Sequence, residues 1–181
     1  SKKNAGILYS ICRYFDDIAD KHSQDQSNFL KNSIEEIKNN KNNKVNVFLK
    51  KNNINNAILI DLIDGLILDQ KNIKIQNKEE LIKYSYHVAG TVGLMMSKIL
   101  MVDNKRALKG AIDLGIAMQL TNIARDVIED KKMNREYIKP DFENIQATLK
   151  LADMFYESSF SSIQKIPFRY KFSIIVARRI Y

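Results

Sequence analysis

The stretch "MQLTNIARDVIEDKKMNREY", residues 118–137, carries Gln119, Asn122, Asp126 and Asp130 at successive spacings of three, four and four. On an α-helix of 3.6 residues per turn these spacings put all four side chains on one face. A core-facing stripe would be apolar. A solvent-facing one has no need of two neutral amides in line with two like charges, which repel by roughly 0.2–0.5 kcal/mol at this separation. The face therefore reads as the wall of a polar site. Arg125, Lys131, Lys132 and Arg135 surround it with groups suited to phosphate oxygens, the arginines bidentately and the lysines as point charges.

A second acidic stretch lies upstream in "CRYFDDIADKH", residues 12–22, where Asp16 and Asp20 share a helix face, with Asp17 beside them and Arg13 one turn before. Taken alone, this motif is accounted for by a solvated face paired with Arg13 and Lys21. Two acidic faces on separate helices of one small bundle call for more, because facing carboxylates without a cation repel and raise each other's pKa. A hard divalent cation prefers oxygen ligands, and Mg²⁺ is usually held by one or two carboxylates together with substrate phosphates. Asp16, Asp20, Asp126 and Asp130 are thus expected to face one shared cavity.

The rest of the chain supports a helical setting. Two prolines and six glycines in 181 residues that are 45% hydrophobic argue for helices over short strands and turns, so the fold class is all-α. Periodicity predicts helices over 5–21, 27–39, 56–70, 77–101 with Asn77 as N-cap, 104–131 and 141–164, and a last one after Pro167. Residues 38–56, where lysine alternates with asparagine, read as surface and loop. One domain over 1–181 is expected, with no repeat or linker.

The net charge of +8 suits an acidic partner such as a phosphorylated substrate, an anionic membrane surface or a nucleic acid. The lysine-rich stretch lacks the interleaved arginines and aromatics of a nucleic-acid surface, so no nucleic acid is expected. No apolar run reaches the roughly 18 residues of a membrane span. A single cysteine, Cys12, excludes an internal disulfide and fits the cytoplasm; with no histidine nearby it reads as a packed thiol. His22 and His87 lack metal-ligand spacing and read as structural.

"YSICRYFDDIAD" (9–20), "DLIDGLILD" (61–69), "YSYHVAGTVGLMM" (84–96) and "LGIAMQLTNIARDVIEDKKMNREYI" (114–138) resemble, in this order, the signatures of the squalene/phytoene synthase family, the bacterial-type phytoene synthases most closely. The resemblance implies an isoprenoid-synthase helical bundle with a central cavity. Asp16 and Asp20 match the first aspartate motif and Asp126 and Asp130 the second, holding Mg²⁺, or Mn²⁺ in its place. It also implies that Arg13, Arg125 and Arg135 lie near the diphosphates, that Gln119 and Asn122 are polar cavity residues, and that Tyr84 and Tyr137 belong to the site, Tyr84 with a catalytic role. Asp17 and Glu129 support the metal-binding carboxylates from behind, and Arg125 is favoured over Arg135. The family carries an N-terminal serine-containing motif and a longer C-terminal part, so the chain is expected to be a fragment, incomplete at both ends.

The implied reaction is the head-to-head condensation of two prenyl diphosphates, geranylgeranyl diphosphate to phytoene through a cyclopropylcarbinyl diphosphate, without a nicotinamide cofactor. Val88, Val92, Met95, Met96, Ile116 and Leu120 are candidates for an apolar cavity lining or for plain core. An apolar product would bring the enzyme into peripheral contact with a membrane. Rival readings are squalene, dehydrosqualene or presqualene diphosphate formation on the same fold, a non-catalytic assembly factor of the family, and a basic helical nucleic-acid binder.

Overall fold

The computed structural model describes residues 2–21, 23–70 and 73–163. Among them eight α-helices form: α1 (Lys2–Ala19), α2 (Gln24–Lys38), α3 (Lys44–Lys51), α4 (Asn56–Asp69), α5 (Lys78–Ser85), α6 (Thr91–Ile99), α7 (Lys105–Lys132) and α8 (Phe142–Ile163). No strand forms among the described residues. A single parallel bridge joins Lys74 to Glu136, with Glu136 N–H donating to Ile73 O (2.9 Å) and Ile75 N–H to Glu136 O (3.0 Å). The helix expected after Pro167 lies outside the described residues, as does His22.

Asparagine sets the boundaries of many of these helices. Asn43, Asn55, Asn77 and Asn104 are the N-caps of α3, α4, α5 and α7, each side chain accepting a first-turn amide. Asn40, Asn53 and Asn134 take positive φ just beyond α2, α3 and α7, a conformation asparagine tolerates better than most residues with a side chain. This corrects the reading of 38–56 as loop. Capped by Asn43, that stretch folds into α3 and buries Asn46, Phe48 and Leu49.

The helix expected over 77–101 is divided. Tyr86–Gly90 forms a π-helical turn between α5 and α6. The wider turn fits because glycines on its neighbours leave room for it. A Cβ on Gly65 of α4 would stand 2.8 Å from His87 Cβ, and one on Gly115 of α7 2.4 Å from Ala89 O. One turn further on, a Cβ on Gly93 would meet Ala111 O at 2.2 Å, so α6 and α7 touch backbone to backbone.

Two hydrophobic clusters result. One joins α1, α2, α3, α4 and α6 through residues such as Leu8, Phe15, Leu30, Leu59, Ile63 and Met95; the other joins α5, α7 and α8 through Leu81, Ile116, Leu120, Leu151 and Tyr156. No helix among the described residues is long and apolar enough to cross a membrane.

Candidate active site

A pocket of about 460 Å³ is walled by α1, α4, the π-turn and α6 on one side and α7 with the segment after it on the other. Asp16 and Asp20 project into it from α1 and Asp126 and Asp130 from α7, joined by Arg13, Gln119, Asn122, Arg135, Tyr84 and Tyr137. The remaining wall is mostly apolar and includes Leu62, Leu66, Val88, Val92 and Ile123. Tyr84, Val88 and Val92 reach the same wall at steps of four. In a regular α-helix that step overshoots one turn of 3.6 residues, and the wider π-turn takes up the overshoot.

The six proposed lining residues therefore separate. Val88 and Val92 line the pocket, whereas Met95, Ile116 and Leu120 are buried in the two clusters and Met96 packs against the first. They sit on the α6 and α7 faces that meet other helices. Arg125 also departs from expectation. It is exposed, holding Asp126 by two bonds of 2.7 and 2.6 Å, and is not among the pocket-lining residues. Arg135 is the arginine in the wall: its side chain is 12% exposed and its Nη2 lies 3.2 Å from Asp20 Oδ1, tying the two sides of the pocket together. Arg13 pairs with Asp16 and Asp17, each at 2.9 Å.

The charges feel this setting differently. Burial, followed by the charge of Asp20, pushes the Asp16 carboxyl above its ordinary value. Burial likewise raises Asp130 to about 6, the pull of Arg135 being outweighed with help from Asp126. Asp126 goes the other way, lowered by the hydrogen bonds from Arg125. Cys12, in the pocket wall, is pushed up to about 12 by burial and by Asp16, which makes it an inert thiol at neutral pH. His87 has a structural place, with Nδ1 2.8 Å from Asp61 O.

One site residue was not anticipated. Asp69, at the end of α4, is buried and accepts hydrogen bonds from Tyr84 (2.7 and 2.8 Å to its two oxygens) and Tyr137 (2.6 Å). The two hydroxyls lie 3.0 Å apart and their rings stack at 4.8 Å. The signal was present in "DLIDGLILD". Leu62, Leu66 and Asp69 fall at steps of four and three, so the acid continues an apolar stripe that faces the pocket.

The donor set suits a hard cation. Asn122 Oδ1 is buried without a hydrogen-bond partner on the same helix face as Asp126 and Asp130, and an orphaned acceptor beside two carboxylates is what an oxygen-coordinated ion or a donor-bearing ligand would satisfy. Among the described residues no three acidic, histidine or cysteine side chains are drawn close enough to hold an ion by themselves. An arrangement of this kind suits Mg²⁺ that takes part of its coordination from substrate phosphates.

The fold is that of the isoprenoid synthases. A squalene synthase from Alicyclobacillus acidocaldarius superposes with a TM-score of 0.78 at 18% identity, over 94% of this chain and 76% of that one. A dehydrosqualene synthase solved in complex with ligand superposes with a TM-score of 0.68 at 27% identity, over 87% and 66%. Residues 2–142 match the squalene/phytoene synthase family, and the chain belongs to it. It is 36% identical over 140 residues to a 15-cis-phytoene synthase of Paracoccus sp., covering 67% of this chain and 46% of that protein. It is 44% identical over 101 residues to the chloroplastic phytoene synthase 1 of Arabidopsis thaliana, covering 52% and 24%. The chain thus spans less than half the length of these relatives.

Proposed function

We propose that this chain carries the catalytic pocket of a Mg²⁺-dependent prenyltransferase that condenses two prenyl diphosphates head to head, geranylgeranyl diphosphate to phytoene through a cyclopropylcarbinyl diphosphate. The observation that carries the reading is the meeting of two aspartate pairs, one from α1 and one from α7, across a single pocket. Asp16, Asp20, Asp126 and Asp130 would hold the cation, with Mn²⁺ able to replace Mg²⁺. Bound there, it supplies Lewis-acid neutralisation of the leaving diphosphate. Arg13 and Arg135 stand at the pocket to receive diphosphate oxygens, and Arg125 holds Asp126 in place from outside. Leu62, Leu66, Val88, Val92 and Ile123 offer the prenyl chains an apolar wall that keeps water from an allylic cation.

The family and its phytoene synthase relatives support this product, while the structural likeness to a dehydrosqualene synthase supports a shorter substrate as the second reading. Incubating the full-length protein with Mg²⁺ and labelled prenyl diphosphates of different lengths, followed by mass spectrometry of the products, separates them. Phytoene from the C20 substrate is the expected outcome. A C30 product from the C15 substrate would favour the second reading, and no product from any substrate would return the chain to the non-catalytic assembly factors.

A further inference from the structure

The Asp69, Tyr84 and Tyr137 side chains make a ring of three contacts: Tyr84 with Asp69, Tyr137 with Asp69, and Tyr84 with Tyr137 at 3.0 Å. Two phenols bring two protons. With an ionised carboxylate both protons are drawn to Asp69 and the contact between the hydroxyls is left without one. With a protonated carboxyl there are three protons for three contacts: Asp69 Oδ2–H donates to Tyr84, Tyr84 to Tyr137, and Tyr137 to Asp69 Oδ1. The ring is complete with one proton more than the anionic form holds.

From this count we infer that Asp69, Tyr84 and Tyr137 form a one-proton site in the pocket wall, with Asp69 as the terminal acceptor acting through Tyr84. The charges acting on Asp69 are Arg135, which favours the anion, and Asp16 and Asp130, which oppose it. Burial outweighs the two tyrosine donors and raises its pKa, in keeping with a group that takes up a proton easily.

The inference rests on the proposed reaction for its use. When C1 of one prenyl cation bonds to C2 of the other double bond, positive charge is left on C3. Loss of a proton from C1 lets the C–H electron pair close the cyclopropane. That proton would go to Tyr84 Oη while the proton of Tyr84 passes to Asp69 Oδ2, so the substrate loses one proton and the carboxylate gains one. Tyr84 is the catalytic residue of the pair, and Asp69 positions it and stores the proton.

The test uses the full-length protein and the Asp69→Asn, Tyr84→Phe and Tyr137→Phe variants. In ¹³C-aspartate NMR of the protein without substrate, one carboxyl is expected to titrate above the ordinary range, to vanish in Asp69→Asn, and to move higher still in Tyr137→Phe, which removes a donor to the anion. In turnover, Asp69→Asn is expected to lower kcat by about 10²-fold or more with KM little changed, as for loss of acid–base function. The acid limb of the kcat profile should move up in pH in Tyr137→Phe. An Asp69 signal that titrates normally, or ignores both tyrosine replacements, overturns the proton site whether or not the protein turns over prenyl diphosphates. Wild-type kcat in Asp69→Asn overturns the relay while leaving the prenyltransferase reading intact. A wild type inactive on every prenyl diphosphate overturns the relay together with that reading, and the NMR result then decides the proton site alone. Should Asp69→Asn not fold, the tyrosine variants still decide through the same signal.

Discussion

Asp126 and Asp130 lie one turn apart on the same helix face, yet they answer to different neighbours. Repulsion between them was legible from their spacing; which of the two bears it was not, because that depends on the rotamer of Arg125 and on burial. Arg125 holds Asp126 by two hydrogen bonds, so Asp130 carries the strain. A carboxyl whose folded pKa is raised from 3.8 to about 6 leaves stability untouched below the lower value and costs stability increasingly as pH rises between the two. Asp130→Asn is accordingly expected to raise the melting temperature at pH 7 and to leave it unchanged near pH 3.5, as measured by thermal denaturation without added metal. Asp126→Asn gives up a largely exposed ion pair worth about 0–1 kcal/mol. Its melting temperature should stay within that margin or fall slightly while turnover is lost. Wild-type turnover in that variant at limiting Mg²⁺ would remove α7 from the chemistry. Arg135 was undervalued beside Arg125 for the same reason. A position just beyond a helix end has no face to predict, and its tie to Asp20 spans 115 residues of sequence.

At the scale of the element, long periodic helices were read well and the punctuation poorly. The α4 and α7 patterns announced themselves through their apolar and polar stripes. Residues 38–56 did not, since the asparagines that look like loop composition are there as helix caps and as C-terminal residues of positive φ. The π-turn was illegible too, because it depends on space supplied by Gly65 and Gly115 on other helices. Replacing Gly93 or Gly115 with alanine drives a Cβ into a backbone carbonyl that cannot step aside. The expected loss is about 1–3 kcal/mol in urea unfolding, typical of overpacking. Gly6 on α1 has nothing within 4 Å of the same position. Gly6→Ala should be neutral or stabilising by up to about 1 kcal/mol, the difference in helix propensity.

For the molecule as a whole, the pocket is where two separately packed clusters of helices face each other. Sequence motifs named most of its polar residues but not its walls: which apolar residues turn inward was decided by the packing of α6 on α7. Ties between the two sides are polar, Arg135 to Asp20 and Tyr137 to Asp69. A ligand that bridges both sides should therefore stabilise the fold by mass action, about 2.7 kcal/mol at a hundred times its dissociation constant. Inorganic diphosphate with Mg²⁺ is expected to raise the melting temperature of the full-length protein, with little effect from either alone and complete reversal by EDTA. An equal shift with diphosphate and no divalent cation would show that the arginines bind it unaided.

The π-turn also makes the pocket sensitive to chain length. It amounts to one residue in surplus over a regular helix, accommodated between Tyr86 and Gly90. Loss of a single codon there would restore the α-helical repeat and swing all that follows, from Thr91 to Ile99, by about 100°. Val92 would leave the wall and Gly93 its seat on Ala111. Within this segment a substitution retunes one side chain, whereas a deletion would exchange the whole wall at once.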